Sequence, residues 1–125
     1  MVAEPDDSMS DYQKLEAWQM AMSLVEEVYK RTRSFPKEEL FGLTSQIRRA
    51  AISIPSNIAE GASRAGTKEF LQFLHIARGS ASELETQLLL AEKLGDLQDA
   101  EDLKAGLTSV KRLINGLIRS MKETP

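Results

Sequence analysis

Apolar residues return at three- and four-residue steps in four separate stretches of this 125-residue chain, the period of a helix with one buried face. The first stretch predicts a helix from about Asp11 to Arg33, with Leu15, Trp18, Met22, Val25 and Tyr29 on its apolar side. Ser10 or Asp11 can cap its start with a side-chain oxygen, and Lys30, Arg31 and Arg33 place cations at the negative end of the helix dipole. Phe35-Pro36 ends it, because the residue before a proline avoids the helical region. The second helix starts between Lys37 and Leu40 and reaches about Ala62, on a stripe of Leu43, Ile47, Ala51, Ile54 and Ile58. Pro55 lies inside it and has no N–H for the carbonyl of Ala51. Because the stripe resumes at Ile58, the pattern predicts a distorted helix rather than a terminated one, with Ser53 and Ser56 placed to recapture freed backbone groups.

The third helix is the longest, from about Thr67 to Leu94. Phe70, Leu74, Ala77, Ala81, Leu84, Leu88 and Ala91 alternate four- and three-residue steps, which is a heptad seam. Small residues gather midway at Ala77, Gly79, Ser80, Ala81 and Ser82 and permit close approach of another helix; Gly95 ends the run. The fourth helix spans about Asp99 to Lys122 on Leu103, Leu107, Val110, Ile114, Leu117 and Met121, with Lys104, Lys111, Arg112 and Arg119 on its polar face. No stretch alternates as a strand does. The expected fold is all-α: an antiparallel up-down-up-down four-helix bundle over residues 11–125 with a proline-distorted second helix. Residues 1–10, acidic and carrying Pro5, are expected to form a flexible tail.

Composition narrows the class. The chain is 42% apolar and 28% charged, an ordinary globular balance. It has no cysteine, so disulfides and thiolate metal sites are excluded. No apolar run approaches the roughly 20 residues of a membrane helix, and the acidic N-terminus lacks a signal-peptide pattern, so a cytoplasmic location is expected. The net charge of −3 is uneven. Residues 1–13 hold Glu4, Asp6, Asp7 and Asp11 and no base; residues 14–78 hold ten Lys/Arg against seven Asp/Glu; residues 79–125 hold six against eight. An acidic tail, a basic middle and an acidic end argue against indiscriminate nucleic-acid binding and leave room for a local basic patch.

Catalytic chemistry finds no foothold. The one histidine, His75, has Gln72 rather than a glutamate three residues before it, so it cannot supply the Glu-x-x-His pairs of a di-metal bundle. The pairs Glu26-Glu27 and Glu38-Glu39, and Glu83 with Glu85, splay around their helices. Gly61 and Gly66 lack the Lys-Ser/Thr of a phosphate loop. No enzyme, metal or cofactor is expected. The informative stretch is QIRRAAISIPSNIAEGASRAG, residues 46–66. There Arg49, Ser53, Ser56 or Asn57, Glu60 and Arg64 fall along one polar stripe opposite the apolar one, with Arg48 beside it. Two readings stand: a groove that grips phosphates or partner side chains, and a network inside the bundle with Arg49 paired to Glu60 or to another helix. The binding reading takes Arg48, Arg49, Asn57, Glu60 and Arg64 as its candidate residues.

The segments YQKLEAWQMAMSLVEEVY, SQIRRA, SIPSNIAEG and ARGSASELE resemble a bacterial family of four-helix bundles. It is named for proteins encoded by intervening sequences in large-subunit ribosomal RNA genes and is also called S23-like. The likeness covers about residues 11–97 closely and the fourth helix loosely. It implies a small cytosolic bundle without assigned enzymatic activity, a pentameric assembly, and distant kinship to the accessory protein of diversity-generating retroelements, which partners a reverse transcriptase and nucleic acid. Two functions follow as expectations: an RNA- or nucleoprotein-binding accessory, or a protein–protein adaptor that touches no nucleic acid. A homo-oligomer is expected on the residues too. Helix three carries Leu71, Phe73, Ile76, Leu89 and Leu90 outside its seam, helix one Met20, Leu24 and Val28, and such surplus apolar surface calls for a second contact.

Overall fold

The computed structural model describes residues 11–123, so the expected tail over residues 1–10 lies outside the described residues. Among the described residues there are four α-helices: α1 (Glu16–Thr32), α2 (Leu43–Ala62), α3 (Thr67–Lys93) and α4 (Glu101–Glu123). Packing joins α1 to α2, α2 to α3, α3 to α4 and α4 back to α1, which closes the antiparallel bundle around one core.

Two starts differ from the sequence expectation. Asp11–Lys14 is a 3-10 turn, and α1 begins after it at Glu16. Lys37–Glu39 is a second 3-10 turn, and α2 begins only at Leu43. There the Glu39 carboxylate folds back to accept the Leu43 N–H at 3.2 Å, satisfying one of the donors that every helix start leaves open. α3 ends as its glycine requires. Gly95 takes φ +81°, its N–H reaches the Glu92 carbonyl, and the Asp96 N–H reaches Ala91, the paired bonds that satisfy a helix's last carbonyls.

The stripes of α2 and α3 are the buried ones: Ile47, Ala51, Ile54 and Ile58 face Leu74, Ala77, Ala81, Leu84, Leu88 and Ala91, with Leu43 and Phe70 partly covered at the ends. α4 buries Leu103, Leu107, Val110 and Ile114, then shifts to Ile118, leaving Leu117 half-covered. This is the drift of a 3.6-residue helix away from a strict heptad. Helix one is a correction. Its core face is Ala17, Ala21, Leu24, Val28 and Thr32, about one residue around the cylinder from the expected stripe. Two alanines let α1 lie close to its neighbours, so bulky Trp18 and Val25 pack at the margin and Met22 faces solvent. Leu24 and Val28, surplus by the sequence pattern, are core.

Pro55 is buried inside α2, and the helix continues through it to Ala62. The expected continuation holds, whereas the expected local repair does not. Ser53 Oγ turns outward to Ser80 Oγ on α3, 2.8 Å away, and Asn57 Nδ2 donates to the Ser53 carbonyl and hydroxyl at 2.8 and 2.9 Å. Between α3 and α4, Lys104 pairs with Glu92 and Lys111 with Glu85, each at 3.0 Å. The hydrogen bond to Glu92 raises the Lys104 ammonium above its ordinary value, against an opposing cost of burial and with Glu101 adding to the rise. Arg31, in the last turn of α1, reaches Asp102 and the carbonyls of Gln98 and Asp99, which ties the end of α1 to the α3–α4 connection.

Candidate functional site: the polar seam between α2 and α3

The site begins with small side chains. Ser53 and Ser80 meet across the seam, and Gly61 lies so close to α3 that a Cβ there would stand 2.7 Å from Phe73 Cβ. Beyond this contact, toward the start of α2, an open groove of about 380 Å³ lies between the two helices. Gln46, Arg49, Ala50 and Ser53 line it from α2, Glu83 and Gln87 from α3.

The candidates on α2 separate into two kinds. Arg48 is half-buried against α1: its Nε donates to Thr32 Oγ1 at 2.9 Å, and its guanidinium lies 4.5 Å from the Tyr29 ring centre. It ties α1 to α2 and does not face the groove. Arg64 pairs with Glu60 at 2.9 Å and Glu69 at 3.7 Å and covers the Phe73 ring. The charges of Arg64 and Glu60 thus answer each other within the bundle, and Asn57 is held by Ser53. Arg49 remains. It is exposed at the rim of the groove, and among the described residues it has no ion-pair or hydrogen-bond partner. The expected Arg49–Glu60 pair does not form: eleven residues along one helix set the two about 16 Å apart, and Glu60 pairs with Arg64 one turn on.

On the α3 wall, Glu83 and Gln87 line the groove and Ser80 adjoins it through Ser53; none of the three is a sequence candidate. Ser80 belongs to the small-residue cluster of α3, which marks close approach but not the hydroxyl pair. Glu83 resembles any solvated acid. Gln87 occupies a seam-side position and is buried, and its Oε1, shielded from solvent, has no partner among the described residues, a buried acceptor left unsatisfied beneath the groove. Arg49 and Glu83 therefore present one donor group and one acceptor to the same open space, with Gln87 buried beneath them. No group of three or more metal-ligating side chains occurs among the described residues, and no helix there is long and apolar enough to cross a membrane.

A family model described as 23S rRNA-intervening sequence protein matches residues 13–116, reaching all four helices and both walls of the groove. The chain belongs to that family. The family's description names no enzymatic activity. No curated protein matches the chain.

Proposed function

We propose that this member of the intervening-sequence family is a non-enzymatic, cytoplasmic, homo-oligomeric accessory that binds RNA or a nucleoprotein, with Arg49 as its contact on α2. The observation that carries the reading is the Arg49 guanidinium, unpaired among the described residues, beside an open polar groove, in a family whose description refers to 23S rRNA. Arginine suits phosphate because its planar fork donates two parallel hydrogen bonds. Self-association has support in the apolar side chains left exposed: Ile52 on α2, and Ile76, Leu89, Leu90 and Leu94 on or just after α3. These replace Leu24 and Val28 in the argument for a second contact, and closed symmetry is the usual way to cover such a surface. The subunit number we favour is five, as the resemblance implies. A protein–protein adaptor is the second reading, favoured by Phe41, which is 93% exposed beside the half-exposed Leu40.

Gel-shift titration with structured ribosomal RNA separates the two arginines of α2. Arg49→Ala weakens binding about tenfold, as expected for one lost charge-assisted contact of about 1.5 kcal/mol, and leaves the unfolding midpoint unchanged. Arg48→Ala does the reverse. It removes the bond to Thr32 and the stacking on Tyr29, at a cost of about 1–2 kcal/mol in chemical unfolding, with RNA affinity retained. Equal RNA affinity for wild type and Arg49→Ala would remove Arg49 from the site.

A further inference from the structure

Averaged over residues 79–125 the chain is acidic, yet its acids are not spread evenly. Seven of the eight lie at or before Asp102, and from Leu103 to Lys122 there is none, while Lys104, Lys111, Arg112, Arg119 and Lys122 all fall there. On α3 the stretch from Phe70 to Ser82 is likewise free of acids and holds Arg78. The bundle lays these two stretches side by side. Arg78 Nη1 donates to Asn115 Oδ1 across the α3–α4 seam at 3.3 Å, and Arg78 Nη2 lies 3.0 Å from His75 Nδ1. Neither partner is an acid, so the guanidinium is oriented without its charge being answered. Next to them Thr108, Lys111, Arg112, Asn115 and Arg119 line one shallow concavity of about 330 Å³.

The balance of charge on this face is open. Lys111 is answered by Glu85. Glu16 shares a neighbouring hollow with Arg112, but no ion pair joins them. Among the described residues Arg112, Arg119 and Lys122 have no acidic partner, and Arg78 has none. A row of like charges held together on a rigid scaffold costs stability through mutual repulsion, and an anionic ligand would relieve that cost. Arg112 and Arg119 are two helical turns apart and Lys122 follows one turn later. From Thr108 to Lys122 the row extends about 21 Å at 1.5 Å per residue, a length that spans several phosphates of a nucleic-acid backbone. No Phe, Tyr or Trp lies between Thr108 and Lys122, and the His75 ring beside Arg78 is engaged by its guanidinium, so the face offers little on which unpaired bases could stack. Fixed cations without stacking surface fit the phosphates of a duplex.

We infer that the α3–α4 face, through Arg78, Arg112, Arg119 and Lys122, is a second nucleic-acid surface that holds the backbone of duplex RNA. The inference rests on the RNA-binding function proposed above, and it assigns most of the phosphate contacts to α4 rather than to α2.

Fluorescence anisotropy of the full chain with a labelled RNA hairpin, titrated between about 50 and 200 mM salt, tests it. The double substitution Arg112→Gln/Arg119→Gln weakens binding about tenfold or more at low salt and flattens the slope of log affinity against log salt by about 2, one for each phosphate contact removed. Both residues are exposed and their mutual repulsion is relieved by the change, so the melting midpoint does not fall. Lys30→Gln/Lys37→Gln removes the same charge from exposed positions near the opposite end of the bundle and leaves the slope as it was. If Arg112→Gln/Arg119→Gln binds with wild-type affinity and slope while Arg49→Ala binds weakly, the α3–α4 surface is refuted and the function proposed above survives. If the wild-type chain binds no hairpin at low salt, both fall. A single strand or a DNA hairpin held as tightly as the RNA hairpin overturns the assignment to duplex RNA.

Discussion

Truncating Leu84 or Leu88 to alanine costs the fold about 2–5 kcal/mol, the range for a leucine removed from a core that relaxes only partly into the cavity. Leu84 is fully buried and Leu88 is 1% exposed. Both lie on the seam of α3, the helix that packs against α2 on one side and α4 on the other, so no single neighbour can close the void. Urea or guanidinium unfolding at fixed protein concentration measures the loss; fixing the concentration matters because assembly adds to apparent stability. A cost below about 1 kcal/mol is the size of a surface substitution and would contradict the packing described for α3.

Gly61 yields the second large effect, with a sign opposite to that of intrinsic helix preference. Alanine stabilises a helix interior by about 1 kcal/mol relative to glycine, so an open helical glycine gains from the change. Gly79, with nothing near its missing Cβ, is such a case, and Gly79→Ala raises the unfolding free energy by up to about 1 kcal/mol. At Gly61 the new methyl group would stand 2.7 Å from Phe73 Cβ, 3.0 Å from Phe70 Cδ1 and 3.3 Å from the Phe70 carbonyl oxygen. A Cβ and a carbonyl cannot yield without moving the backbone of α3, so Gly61→Ala forces the two helices apart. The expected loss is about 1–3 kcal/mol, the usual cost of overpacking. It extends to the groove, because the Ser53–Ser80 contact depends on the same close approach. If Gly61→Ala and Gly79→Ala proved equally stable, α2 and α3 would not be in contact at Gly61.

Helices with long, evenly spaced aliphatic side chains are legible in the sequence. α2 and α3 bury the stripes that their spacing marks, because Ile and Leu at 3.6-residue intervals have one way to leave water. The spacing misphases α1 because its core contact is made by Ala17 and Ala21, small residues that carry little hydrophobic signal, while Trp18 and Met22 carry much and lie outside. α1 and α2 start later than the pattern suggests because 3-10 turns share the composition of helix beginnings. The site is legible in part. The stretch around Arg49 stands out by its polar stripe, but a stripe cannot tell a free guanidinium from one that its neighbours occupy. Arg48 finds Thr32 and Tyr29, which are 16 and 19 residues away in sequence, and Arg64 finds Glu69 across the α2–α3 turn. The cations of α4 are hidden for a different reason. Summing charge over residues 79–125 merges the acidic connection around Asp96–Asp102 with the base-only stretch that follows it. A shorter window separates the two.

We propose that this bundle assembles and carries RNA. Multi-angle light scattering coupled to size exclusion, run with and without a structured ribosomal RNA at low salt, tests it directly. The predicted result is a mass several times the 13.9 kDa of one chain, steady on dilution, and an increase by the mass of the bound RNA when the two are mixed. A mass of one chain at every concentration, with RNA eluting apart from the protein, would contradict it.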